Sequence, residues 1–244
     1  MNKKILMIFV IFLVFISIGA VSADNATDDS ATDILSAADG DTSFTALDAL
    51  INSGDDVIDI TKDYAFDKKR DAKFTDGIVF DYDVVINGNN HTIDAKGQSR
   101  IFQNKYSDVL IKDLILMNAN NSAIENYDIL KTSNVEFNNC SSDGGGAVLV
   151  EQADYISEND RFINNRATVY GGAAISANKA NITVINGYFT GNYAKSGGAI
   201  AIADSYATID DCLFEGNTAK KGSAAYSENS FLTIDNSLFF YGSR

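Results

Sequence analysis

The sequence predicts an all-β solenoid, a single-stranded parallel β-helix closed at its N-terminal end by a short helix. Three observations predict it. Gly145-Gly146-Ala147, Gly171-Gly172-Ala173, Gly197-Gly198-Ala199 and a degraded copy, Gly222-Ser223-Ala224, recur every 25 or 26 residues. A second register, Phe137, Phe162, Phe189, Phe214 and Phe239, is spaced by 25, 27, 25 and 25 residues. A fixed period of this size marks a solenoid, in which one repeat is one coil that cannot bury its apolar face alone. The third observation is composition: 244 residues with no Pro or Trp, 18 Gly, 15 Phe and 11 Tyr, and few long helical patterns. That composition suits many short strands between polar turns.

Residues 1–23 read as a secretory signal peptide. Lys3 and Lys4 precede an apolar run, and Val21-Ser22-Ala23 supplies small residues for cleavage after Ala23. Residues 24–41 are acidic and rich in Ser, Thr and Ala, the pattern of a disordered linker. From 42 to 54 the pattern is helical. Phe44, Leu47, Leu50 and Ile51 share a face, Thr42 or Ser43 can cap the start and Gly54 can end it. A helix here serves as a lid over the first coil, whose core and strand edges would otherwise be bare.

The β-helix is expected over 42–244. Val57–Ile60 alternates as a strand, and 63–76 reads as a charged loop thrown out of the first coil. Residues 78–81 and 84–86 resume strand pattern, and Asn87-Gly88-Asn89-Asn90 is a tight turn with Asn-Gly supplying positive φ. His91–Asp94, Arg100–Phe102, Val109–Ile111 and Leu114–Leu116 lead into the regular repeats. The chain stops within a coil at Tyr241-Gly242-Ser243-Arg244, which reads as a truncated last copy with an open edge for self-association.

Aligned on Phe, each position acquires a task. Val184, Ile209 and Ile234 stand five residues before a Phe and join it in a stacked core. Asn165, Asn192 and Asn217 stand three after it, and Asn118 stands three after Ile115 in an earlier coil. Equivalent residues of successive coils lie about 4.8 Å apart, so amides at an inward turn can satisfy one another along a column. Cys140 interrupts that column. Cys140 and Cys212 lie three coils apart, roughly 14 Å along the axis, too far for a disulfide, so two free buried thiols are expected.

The alternation of Phe162-Ile163-Asn164-Asn165, Phe189-Thr190-Gly191-Asn192 and Phe214-Glu215-Gly216-Asn217 with Gly197-Gly198-Ala199-Ile200 resembles the repeat of chlamydial polymorphic membrane proteins. The block from Val85 to Asp94, followed by Ser99-Arg100-Ile101-Phe102, is similar to the opening coils of adhesin-like surface proteins of methanogenic archaea, which carry that repeat. The resemblance covers roughly 42–244. It implies a right-handed parallel β-helix of the pectin lyase-like type, secreted or on the cell surface, non-catalytic, and presenting a repeated face to glycans or proteins of other cells.

Charge narrows the partners. Removing 1–23 takes away two lysines and no acid, so the net charge of −14 becomes −16. Such a chain has no electrostatic footprint for nucleic acid or anionic lipid. No cofactor or metal is expected, since the Gly-Gly-x-Gly-x-Asp calcium repeat is absent. Parallel β-helices also host polysaccharide lyases and glycoside hydrolases, which need paired carboxylates, or acids with an Arg base. The nearest candidates are Asp160 with Arg161, and Asp210-Asp211. The plainer reading makes Asp210-Asp211 turn residues and Asp160 an inward residue in an ion pair with Arg161 or Arg166. Tyr155, Tyr170, Tyr188, Tyr193, Tyr206 and Tyr226 would stack on sugars if they line up outside. Sequons at Asn25, Asn90, Asn120 and Asn181 are possible glycosylation sites, and Asn139 is discounted as lying beside the core. The third expectation for function, after adhesin and glycan-cleaving enzyme, is a cell-envelope subunit assembling end to end.

Overall fold

The computed structural model describes residues 40–240. The signal peptide with its cleavage after Ala23, the linker up to residue 39, Asn25 and residues 241–244 lie outside the described residues. The chain winds as a parallel β-helix of about seven turns. In a full coil it passes four faces, for example Asn181–Ile185, Tyr188–Thr190, Tyr193–Ser196 and Ile200–Ala203. Stacking of coils makes these faces into parallel sheets of eight, eight, four and seven strands. The four-stranded third face begins only at Ser141–Ser142; earlier coils turn directly from the second face toward the fourth.

The lid helix, α1, spans Phe44–Ile51, with Ser43 as N-cap accepting from the Ala46 N–H. Phe44, Leu47 and Ile51 are buried in the same core as Ile58 and Ile60 of the first coil. Buried Asp71 finishes the helix start: its carboxylate accepts from the Phe44, Thr45 and Asp67 N–H groups and from the Thr45 hydroxyl. The stretch 63–76 is not simply a loop. It contains the two-residue strand Tyr64–Ala65 and a 3₁₀ turn at Ala72–Phe74. Tyr64, Phe66 and Phe74 are buried, so apolar side chains draw this charged segment back onto the core.

Inward columns run along the axis. The rings of Phe137, Phe162, Phe189, Phe214 and Phe239 stack at 4.9, 4.8, 4.7 and 5.0 Å between centroids. Those distances are the inter-strand spacing itself, so register forces the stack. The buried Asn column follows. Asn165 Nδ2 donates to the Asn192 Oδ1 (3.1 Å) and Asn192 Nδ2 to the Asn217 Oδ1 (2.8 Å). Each Nδ2 also donates to the Phe carbonyl of the preceding coil, and each Oδ1 accepts the backbone N–H of that coil. Every amide in the column is thereby satisfied without water.

Asn118 is not in this column. Phe137 pairs with Leu116, not with Ile115, so the inward position belongs to Ala119. Asn118 occupies the preceding left-handed corner (φ 53°), and its side chain joins Asp94 and Asn139 outside. Asn139 is exposed there rather than set beside the core. Cys140 and Cys212 are free and buried, and burial pushes their thiols up to about 12 and about 11.

Sharp corners between the first two faces place Asn134, Asn159, Asn186, Asp211 and Asn236 at φ 46–58°. Asn and Asp tolerate this region better than other side chains. The Gly-Gly turns divide their labour. Gly197 supplies a positive φ of 65°, whereas a Cβ on Gly198 would stand 2.0 Å from the Ser223 carbonyl of the next coil. Gly88 likewise serves by close approach, to Asp113 and Leu114, while Asn89 and Asn90 carry the positive φ of that turn.

Candidate functional site: a groove along the fourth face

The outward column of the fourth face runs Gln103, Glu125, Leu149, Ser176, Ala201, Tyr226 in register. Ser176 and Ala201 are small, so the face sinks between Leu149 and Tyr226. The coil from Phe162 to Phe189 carries two more residues than its neighbours, and they fall in the stretch between the strands Arg166–Ala167 and Ile175–Asn178. There the backbone bulges: Val169 and Tyr170 both donate their N–H to the Asp143 carbonyl, at 3.1 and 2.9 Å. Tyr170 remains 63% exposed. Its ring edge lies where a Cβ on Gly144 would be, 2.7 Å from Cε2.

The result is a groove of about 430 Å³. Ser176 and Ala201 form its floor. Val169, Tyr170, Lys195 and Lys221 stand on one side, Glu151, Asn178 and Glu228 on the other, and Tyr226 lies across its C-terminal end. Toward the N-terminus the same column is filled. Arg100, nearly buried, reaches Glu125 at 2.5 Å, and Glu125 also accepts from Gln103 and the Tyr127 hydroxyl. Partial burial, and then the Glu125 contact, push the Tyr127 phenol up to about 12. A second, wholly polar notch of about 420 Å³ opens at the start of the third face, lined by Asn120, Asn121, Ser141, Ser142, Asp143 and Thr168.

The residues nominated for catalysis do not converge. Asp160 is fully buried with no cation paired to it among the described residues. Its carboxylate accepts from the Val135 N–H (2.7 Å), the Ser157 hydroxyl (2.7 Å) and the Thr132 hydroxyl. Thr132 in turn meets the buried Tyr155 hydroxyl at 2.9 Å. Burial pushes the Asp160 carboxyl up to about 6 against the pull of these donors. The expected ion pair is absent. Arg161 lies outside, 3.3 Å from Glu136 and over the Tyr188 ring, and Arg166 lies over Tyr193. A column starting at inward Val135 simply leaves Asp160 pointing into the core. Asp211 is the left-handed turn residue, its N–H donating to the Asp210 carboxylate, which also accepts from Asn236.

The groove has two carboxylates of its own, Glu151 and Glu228. They occupy one column three coil steps apart, Glu151 to Asn178 to Ala203 to Glu228. Three steps are about 14 Å at the inter-strand spacing. Retaining and inverting glycosidases hold theirs roughly 5–9.5 Å apart. Among the described residues, no three acidic, Cys or His side chains gather to hold a metal ion.

The tyrosines divide among the faces. Tyr155 is core, Tyr188, Tyr193 and Tyr206 lie on the second, third and first faces, and only Tyr170 and Tyr226 share the groove. Asn90, Asn120 and Asn181 are exposed. Pattern reading missed Ser176 and Ala201, and the signal that locates the groove was the 27-residue step in the Phe register. Among the described residues, no helix is long and apolar enough to cross a membrane. Comparison with protein-family models, curated proteins and solved structures found no match.

Proposed function

We propose that the chain is a secreted or cell-surface β-helix of the adhesin-like kind, which binds glycans through the groove on its fourth face and does not cleave them. The observation that carries this reading is the groove's construction: a floor of small residues, exposed Tyr170 and partly buried Tyr226, and hydrogen-bonding groups along both edges. Sugar rings present an apolar face to an aromatic side chain and hydroxyls to polar edges, so an extended oligosaccharide suits a trough of this shape. The signal-like N-terminus and the resemblance to archaeal adhesin-like proteins support export. The roughly 14 Å between Glu151 and Glu228 argues against the alternative, a glycoside hydrolase, and among the described residues the groove's lining contains no Arg to act as the base of a lyase.

Retention on a glycan array tests the proposal. Wild type is expected to bind a subset of extended oligosaccharides, and Ala201→Trp, which fills the floor, to lose them. Retention unchanged by the filling, or no retention at all, would refute it.

A further inference from the structure

The third face is positively charged in a protein that is otherwise strongly acidic. Its strands Arg166–Ala167, Tyr193–Ser196 and Thr218–Lys221 carry Arg166, Lys195, Lys220 and Lys221 and not one acid, against a net charge of −14 for the whole chain. Among the described residues, none of these four cations forms an ion pair with a carboxylate. Two of them lie over aromatic rings instead: Arg166 is 4.5 Å from the Tyr193 centroid and Lys221 is 5.8 Å from that of Tyr226.

The pairing of Ala194 with Ala219 and of Ser196 with Lys221 sets Lys195 beside Lys220 on adjacent strands. Like charges in that position repel, and among the described residues no carboxylate pairs with either. An anion along the strip would offset them. Two of the cations, Lys195 and Lys221, are also the wall of the groove. The opposite edge is Glu151, Asn178 and Glu228, with Asn178 donating to Glu151 at 2.9 Å. The groove is therefore polarised across its width, cationic on the third-face side and acidic on the other.

We infer that the ligand is an acidic polysaccharide. It lies along the groove with its carboxylates turned to Lys195 and Lys221, and its hydroxyls donating to the Glu151 and Glu228 edge. This deepens the glycan-binding reading and rests on it. Polarity across the groove fixes which side of the chain faces the third face. A row of cations beside stacking rings provides the affinity, part of which is lost to salt.

The test titrates wild type, Lys195→Glu/Lys221→Glu and the milder Lys195→Gln/Lys221→Gln with three probes by calorimetry: an oligomannuronate, a neutral β-glucan oligomer of the same length, and oligo-dT. Both substituted positions, Lys195 and Lys221, are exposed, and circular dichroism verifies that the variants are folded. The oligomannuronate is expected to bind at least tenfold more tightly than the neutral oligomer. The charge reversal should weaken it at least tenfold, the neutral pair less, and raising salt from 50 to 500 mM should weaken it in wild type. Equal binding of neutral and acidic oligomers, unmoved by either variant, overturns the acidic-ligand inference and leaves the groove a glycan site. Binding of oligo-dT as tight as oligomannuronate also overturns it, making the strip a general polyanion site. Failure of both sugars overturns the inference together with the reading on which it rests.

Discussion

Asp160 makes the stability of this protein depend on pH in a direction opposite to that set by Asp41, Asp63 and Asp94. Its carboxyl is pushed from an ordinary 3.8 up to about 6 by burial, with Glu158 adding to the rise. The folded state therefore holds this proton more tightly than the unfolded chain does. The stabilisation is complete below pH 4, declines as pH rises toward 6, and is gone above it. The difference between 3.8 and about 6 corresponds to about 3 kcal/mol. Asp160→Asn keeps an acceptor for the Val135 N–H and cannot ionise, so it lacks this slope. Asp41, Asp63 and Asp94 are held below their usual range by hydrogen bonds to neighbouring groups and act in the opposite sense. They are common to both proteins, so the difference between wild type and variant isolates Asp160. Urea unfolding followed by far-UV circular dichroism from pH 4 to pH 8 is the assay. Relative to Asp160→Asn, wild type should lose about 2.5 kcal/mol across that range, with m unchanged. A difference constant to within about 0.5 kcal/mol would refute the buried, cation-free description of this carboxylate.

The Asn column gives a contrast between two positions. Asn192→Ala orphans the Asn165 N–H and the Phe162 carbonyl, both buried, and should cost about 3–5 kcal/mol. Asn118→Gly keeps the left-handed corner, loses only outer hydrogen bonds and should cost under about 1 kcal/mol. Equal costs in chemical unfolding would contradict the register. Gly198→Ala drives a Cβ into the Ser223 carbonyl and should lower stability by about 3 kcal/mol or more, visible as a drop in melting temperature. Asp71→Ala removes the acceptor of three donors at the start of α1 and of the Asp67 N–H; hydrogen exchange at Phe44 and Thr45 should accelerate well before the coils open. Incubation with acidic or neutral polysaccharides should release neither reducing ends nor unsaturated sugar.

Much of this molecule can be read from period alone. The Phe and Gly-Gly registers locate the coils, the inward Phe stack and the Asn165–Asn192–Asn217 amides, because a solenoid repeats the same environment at every turn. The misplacement of Asn118 has a local cause. Ile115 and Leu116 are both apolar, so alternation does not say which points inward; only pairing with Phe137 does. Asp160 is legible as inward, but not its partners. Thr132 and Ser157 sit where neighbouring coils have Ile111 and Val184, and small hydroxyl residues in a strand give no sign that they surround a carboxylate. The groove is least legible of all. Ser176 and Ala201 are outward residues with no hydrophobic pattern, and their burial comes from the bulge at Val169 and Tyr170. That bulge shows in the sequence only as two extra residues in one repeat.

Hydrogen exchange of the protein with and without a saturating glycan from the array tests the central claim most directly. The account predicts slowed exchange confined to the Val169–Gly171 bulge, the strand Ile200–Ala203 and the Lys195–Gly198 turn, with the first and second faces unchanged. Protection on those other faces, or none anywhere at saturation, would contradict it.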